Sequence, residues 1–274
     1  MTQITADKIS EIAEKIKKMP KYKDVEIPND TIESLIEISY PASKNIADLE
    51  KRIREKIHNI TALYLGDIDY KKAAEEFAQM KNNRMAVREF SQHKLSFHAS
   101  TKERGQDLAA LYQQLFSRIG NCKRIADLAC GLHPLGLPFM GLPLGTDYYA
   151  YDLNKARAEF LNIFITGLGY SGGCYHQDIL VEPPNISFDV AFFFKEAHRF
   201  EKRQPGVMHG FLDSINASKI VVSLPLQSLG TSRELSPKYE KTLYEYATQR
   251  GRSFDSFTHG NEIFYIIYDK VLRY

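Results

Sequence analysis

Along the first 95 residues the apolar positions recur at helical spacing and nowhere alternate as they would in a strand. Ile9, Ile12, Ala13, Ile16 and Met19 fall at the i, i+3, i+4, i+7 positions of one helix face. Pro20 ends that segment. Pro28-Asn29-Asp30, with Glu33 three residues beyond Asp30, predicts a capped start for a second helix whose stripe is Ile32, Leu35 and Ile36. Ile46, Leu49, Ile53, Ile57, Ile60 and Tyr64 line a longer helix before Gly66, and Tyr70, Ala73, Ala74, Phe77 and Met80 mark a fourth. Residues 1–95 therefore read as a small helical bundle.

From residue 96 the texture changes. Short runs rich in Ile, Val and Phe alternate with helical stretches, which predicts a parallel α/β sheet. The runs are 124–127, 148–151, 174–177, 188–194, 220–224 and 263–268, and the intervening helical patterns include 107–119 and 155–168. The expected organisation is an N-terminal helical domain (1–95) followed by an open, doubly wound α/β domain (96–274).

Composition narrows the function. Of the 274 residues 43% are hydrophobic and 26% charged, an ordinary globular balance, and the net charge of +2 excludes a protein that coats nucleic acid by bulk charge. Local patches remain possible. In residues 1–95, 17 lysines and arginines stand against 16 acids, yet Lys15, Lys17, Lys18, Lys21 and Lys23 lie in a stretch without an acid. Lys51, Arg52, Arg54 and Lys56 form a second cluster with His58, interrupted by Glu55. Such clusters suit a phosphate backbone, because each neutralised phosphate releases counterions; they equally suit a solvated helix face. No apolar run approaches the ~20 residues that span a bilayer. The opening residues lack a secretion-signal pattern, and Cys122, Cys130 and Cys174 form no CxxC pair, so a reduced, cytoplasmic setting is expected.

The chemistry gathers at the ends of the predicted strands, where ligands bind in open α/β sheets. Asp127, Asp152 and Asp178 close or follow three of the apolar runs, spaced 25 and 26 residues apart. Asp152 is placed to accept ribose hydroxyls and Asp178 an adenine amino group. Any one of the three could simply cap the next helix, but three on successive strands point to a nucleoside pocket. The first turn reads Cys130-Gly131-Leu132-His133-Pro134, with one glycine and a proline. This is poor for cradling a pyrophosphate, which calls for GxGxxG. A phosphate-free nucleoside such as S-adenosylmethionine fits better, and Arg104 is a candidate for its carboxylate.

Residues His98-Ala99-Ser100-Thr101-Lys102-Glu103-Arg104 and Asp127-Leu128-Ala129-Cys130-Gly131-Leu132-His133-Pro134-Leu135 resemble the aminoglycoside-resistance 16S rRNA (guanine-N7) methyltransferases. Phe194-Lys195, residues 223–229 and Gly260-Asn261-Glu262-Ile263 continue the likeness in order, over nearly the whole chain. The resemblance implies a Rossmann-like class I methyltransferase domain behind an rRNA-docking helical domain. It implies that Arg104 holds the cofactor carboxylate, Gly131 lines the methionine, Asp152 takes the ribose and Asp178 the adenine, with Asp127, Leu153 and Ile179 beside them. Lys195 would line the cofactor and position the target guanosine. Both lysine-rich clusters, together with Arg199, Ser228 and Glu262, would contact RNA. The implied substrate is nucleotide 1405 in the decoding A-site of the assembled 30S subunit, whose methylation blocks drugs such as gentamicin and kanamycin. The implied enzyme is monomeric.

Guanine N7 carries a lone pair and no proton, so its methylation needs no general base, and none is assigned here. Positioning supplies the help, with the nucleophile ~3 Å from the methyl. No metal site is expected. Ser100 and Glu103 read as a capping box, Cys130 as a packing residue and His98 as a core histidine. The chain departs from the family on the target side. His133 replaces a usual asparagine, Gln227 an often basic residue, Glu234 to Tyr239 a Gly-Met-Glu-x-x-Tyr pattern, and Glu196-Ala197-His198-Arg199 an apolar stretch. These changes leave room for another RNA position, a small-molecule acceptor, or a ribosome-binding protein without turnover.

Overall fold

The computed structural model describes residues 4–18, 26–61, 68–97, 107–226 and 236–269. Helix α1 (Ala6–Lys17) starts at Thr5, whose side chain accepts a bond from the Lys8 N–H, and it buries Ile12, Ala13 and Ile16 as the spacing predicts. Helix α2 spans Asn29–Ser39. The predicted Asp30–Glu33 cap does not form, because the helix begins earlier. Pro28 presets the extended entry and makes no side-chain bond, while Asp30 accepts from the adjacent Thr31 N–H at 2.7 Å. Helix α3 covers Ile46–Thr61. Leu35, Ile36, Leu49 and Ile53, all fully buried, make the core that α1–α3 share.

Two further helices follow. Asp69 caps α4 (Tyr70–Met80) through the Lys72 N–H, and Asn83 caps α5 (Arg84–Leu95) through the Met85 and Ala86 N–H groups. The sequence pattern did not reveal α5. Neither helix joins the α1–α3 core. Ala73, Phe77, Val87 and Phe90 pack with the sheet's residues, the Phe77 and Phe164 rings lying 4.8 Å apart. The apolar packing thus divides between α3 and α4, while the domain boundary expected from the sequence lies at residue 95. Helical periodicity announces a buried face without saying what buries it.

Helix α6 (Leu108–Ile119) leads into β1 (Arg124–Leu128), a short α7 (Leu137–Met140), β2 (Asp147–Asp152), α8 (Lys155–Gly167), β3 (Ser171–His176) and β4 (Phe188–Phe194). Then come α9 (Ala197–Arg203), α10 (Met208–Ser214), β5 (Ala217–Pro225), α11 (Ser236–Gln249), β6 (Ser253–His259) and β7 (Glu262–Tyr268). The sheet order is β3-β2-β1-β4-β5-β7-β6. The first five strands are parallel, and β7 runs antiparallel to both neighbours. Side chains alternate between two cores, Ile125, Val190 and Phe192 on one face and Ala126, Ala191 and Phe193 on the other. Strand β6 escaped the sequence reading because it is an edge strand in which only Phe257 is buried.

The chain winds outward from β1 to β2 and β3, then returns to lay β4 on β1's other side. This reversal opens a crevice beyond the carboxyl ends of β1 and β4, the expected place for a ligand in such a sheet.

Candidate active site

Where β1 ends, the backbone turns through two left-handed residues, Ala129 at φ 51° and Gly131 at φ 54°. A side chain at Gly131 would meet no atom within 4 Å, so the glycine serves the turn, and the space before it stays open. The Cys130 N–H bonds the Tyr151 carbonyl at 2.9 Å, fastening this loop to β2. Asp152 completes the junction. It accepts from the Gly131 N–H at 3.0 Å, the Asn154 N–H at 2.7 Å and Arg157 Nη1 at 3.1 Å. Arg157 is itself buried and donates to the Tyr70 hydroxyl at 2.8 Å, so α4 braces the pair. A carboxylate offers about four acceptor positions, which leaves Asp152 room for a further donor.

Asp178 lies two residues past β3 and is buried. It accepts from the Leu180 N–H at 3.1 Å and the Thr31 hydroxyl at 2.8 Å, and Arg203 Nη2 stands 2.5 Å away. Asp127 is buried within β1; one carboxylate oxygen meets the Tyr148 hydroxyl at 2.7 Å and His133 Nδ1 at 2.8 Å.

These groups surround one cavity of about 300 Å³, at the small end of ligand pockets. Asp127, Gly131, Asp152, Leu153, Asp178 and Ile179 all line it, six of the eight residues expected to hold a cofactor. Arg104 lies outside the described residues, as do Lys21, Lys23, Gln227 and Ser228. Lys195, the expected target-positioning residue, is not among the lining residues. It adopts φ 61° at the end of β4, is buried, and sets Nζ 3.3 Å from Glu262. That pairing leaves Glu262, an expected RNA contact, 2% exposed and turned to Lys195. The reason is topological: β7 inserts beside β5 and brings its first residue under the tip of β4.

Several predicted RNA contacts are already engaged. Lys15 pairs with Glu50 at 2.5 Å, Lys17 with Glu14 at 3.1 Å, Arg52 with Asp48 at 3.0 Å, and Lys51 stands 4.0 Å from Glu55. Arg54 donates to the Glu50 carbonyl at 3.2 Å. Surface pairs of this kind are weak and exchange readily for phosphate. Lys18 is exposed. Lys56 differs: its ammonium donates to the Arg203 carbonyl at 2.7 Å and lines the cavity, where burial and the nearby Arg203 charge lower its pKa. Arg199 also lines the cavity and is paired with Glu196.

Glu196 is a functional candidate that the sequence flagged only as a departure. Burial pushes its carboxyl up to about 7, against the pull of Arg199 and with a smaller push from Asp152. His198, beside it, is held down to about 4 by burial and by Arg199 and Lys202. The contributions of Arg157, Arg203 and Thr31 were also missed. No local motif announces a pairing that spans 147 residues, as Thr31 and Asp178 do.

The site fits S-adenosylmethionine. Asp152 and Asp178 stand where hydroxyl and amino donors can meet them, the loop has no phosphate cradle, and among the described residues His133 Nε2 is a buried polar atom without a hydrogen-bond partner. Among the described residues no three His, Cys, Asp or Glu side chains gather as a metal ion would need.

Residues 18–266 match the ribosomal RNA methyltransferase (FmrO) family. The chain belongs to that family. As a member it is an S-adenosylmethionine-dependent rRNA methyltransferase. It is 29% identical over 272 residues to the 16S rRNA (guanine(1405)-N(7))-methyltransferase of Micromonospora echinospora, covering 97% of this chain and 98% of that one. With the enzyme of the same name from Serratia marcescens it shares 27% identity, over 87% of this chain and 90% of that one. The crystal structure of an rRNA methylase from Escherichia coli superposes with a TM-score of 0.75 at 25% identity, covering 96% of this chain and all of that one. The 16S rRNA methyltransferase RmtF, solved with S-adenosyl-L-homocysteine, shares the fold at TM-score 0.74 and 23% identity, over 97% and 100% of the two chains. No helix among the described residues is long and apolar enough to cross a membrane.

Proposed function

We propose that this protein methylates N7 of guanosine 1405 in 16S rRNA within the assembled 30S subunit, and so confers resistance to aminoglycosides such as gentamicin and kanamycin. The observation that carries the reading is the convergence of Gly131, Asp152 and Asp178 on one cavity at the β1/β4 reversal, in a chain of this family. The Micromonospora and Serratia relatives bear that activity in their names.

The cofactor supplies an activated methyl on sulfonium; the protein's part is to place it. Asp152 holds the ribose and Asp178 the adenine, each carboxylate keeping its backbone donors. Gly131 leaves the methionine end its space, and Arg104 meets the carboxylate. Lys195, steered by Glu262, and Arg199 belong to the target side, where a guanosine drawn from the RNA is held for in-line transfer. No side chain need remove a proton, because N7 has none. Lys15, Lys17 and Lys18 on α1 and Lys51, Arg52 and Arg54 on α3 are the docking charges for rRNA, with the protein acting as a cytoplasmic monomer.

Purified protein incubated with labelled S-adenosylmethionine and 30S particles should label 16S rRNA, and borohydride-aniline cleavage should map to nucleotide 1405. Cleavage elsewhere would reassign the target, and unlabelled 30S particles would defeat the reading.

A further inference from the structure

Asp127 and His133 form a buried pair whose consequence for the cofactor reaches beyond the acids already assigned. One oxygen of Asp127 receives the Tyr148 hydroxyl at 2.7 Å and His133 Nδ1 at 2.8 Å. With the Asp127 carboxylate accepting, Nδ1 carries the imidazole proton, and in the neutral ring Nε2 is left with its lone pair. His133 is 3% exposed, lines the cavity, and has no hydrogen-bond partner for Nε2 among the described residues. Its ring is clamped edge-on by Phe194 at 4.8 Å and Phe192 at 6.0 Å, so it cannot swing away to find one. A buried acceptor left unmet is unfavourable, and a site that keeps one has a donor in view.

We propose that His133 Nε2 accepts a hydrogen bond from the α-ammonium group of S-adenosylmethionine, making His133 a cofactor-binding residue oriented by Asp127. This rests on the cofactor reading above. The ligand presents three kinds of donor to the protein: ribose hydroxyls, the adenine amino group and the α-ammonium. Asp152 and Asp178 account for the first two. The third is the cationic one, and the Asp127 carboxylate behind the ring fixes the orientation that turns Nε2 toward it. His133 lies two residues beyond Gly131 in the same turn, which places it at the methionine end.

The test compares S-adenosylhomocysteine with its deaminated analogue, in which hydrogen replaces the α-amino group. His133→Asn keeps a side-chain N–H for Asp127, and its remaining acceptor, Oδ1, ends at the δ position, short of where Nε2 stood. By calorimetry, H133N should weaken S-adenosylhomocysteine roughly tenfold or more, as for loss of a charged hydrogen bond. It should leave the deaminated ligand's affinity unchanged. Equal weakening of both ligands would show a packing role and overturn the proposal. If wild-type protein binds neither ligand, the cofactor reading itself fails. A second measurement needs no variant. With ¹⁵N-histidine-labelled wild-type protein, the His133 Nε2 signal should be of the unprotonated type and move upfield with S-adenosylhomocysteine but not with the deaminated analogue. A protonated Nε2 in the free protein, or an identical response to both ligands, would overturn the assignment.

Discussion

The Thr31 hydroxyl, in the second helix, donates to the Asp178 carboxylate 147 residues away, at 2.8 Å and out of contact with solvent. One hydrogen bond thus ties the α1–α3 unit to the acid expected to take the adenine. Lys56 makes a parallel link from α3 to the Arg203 carbonyl, and Asn59 and Ile60 help line the cavity. The unit assigned to rRNA docking therefore also walls the cofactor site. Thr31→Val keeps the shape and removes the bond. It should lower folding stability by about 1–2 kcal/mol, read from the urea midpoint, because Asp178 loses a buried donor. An unchanged midpoint would mean the link contributes nothing.

Asp152 holds the Gly131 turn, the Asn154 N–H and the buried Arg157 together. Asp152→Ala should weaken S-adenosylhomocysteine binding by about 1.5–3 kcal/mol in calorimetry. It should also lower the melting temperature of the free protein, since removing one partner of a buried ion pair leaves the other charge uncompensated. Unchanged ligand affinity would contradict the ribose assignment.

Glu196 gives stability a pH signature. Its folded pKa of about 7 lies above the ordinary 4.5 because burial disfavours the charge. The group contributes stability fully below about pH 4.5, and that contribution is lost as pH rises toward 7. Its side chain keeps 19% exposure, so the full shift, about 3 kcal/mol, is an upper bound. Glu196→Gln should therefore gain stability relative to wild type as pH goes from 5 to 7.5, measured by urea unfolding across that range. A difference that stays flat would place the carboxyl in water.

The α1 lysines carry the docking prediction. Replacing Lys15, Lys17 and Lys18 by Glu should weaken 30S binding and lower the slope of log affinity against log salt by about 2, from lost phosphate contacts. Calorimetry with S-adenosylhomocysteine should show no change, because none of the three lines the cavity. A loss of methylation with 30S binding intact would refute the docking role.

Lys195 and Glu262 test the target side. Lys195→Met should abolish methylation while leaving S-adenosylhomocysteine affinity within about threefold, since the lysine stands outside the cavity lining. It should also destabilise the fold by about 3–5 kcal/mol, because the buried Glu262 carboxylate loses the ammonium 3.3 Å away. Adding Glu262→Gln should recover much of that stability and none of the activity. Recovered methylation would reduce both residues to a structural pair.

Much of this protein was legible from its residues alone. Periodicity separated helices from strands; six apolar runs became six of the seven strands; and Asp127, Gly131, Asp152 and Asp178, expected around one ligand, line one cavity. Those inferences rest on local chemistry: side-chain spacing sets which face is apolar, and acids after strands sit where this sheet type opens. What tertiary structure alone decided were the pairings across long separations. It put α4 and α5 on the sheet rather than in the helical bundle, placed Glu262 beneath Lys195, buried Arg157 against Asp152, and brought Thr31 to Asp178. An amphipathic stripe states that a face will be covered and a charge states that it needs a partner. Which partner arrives is settled only when the whole chain competes to exclude water.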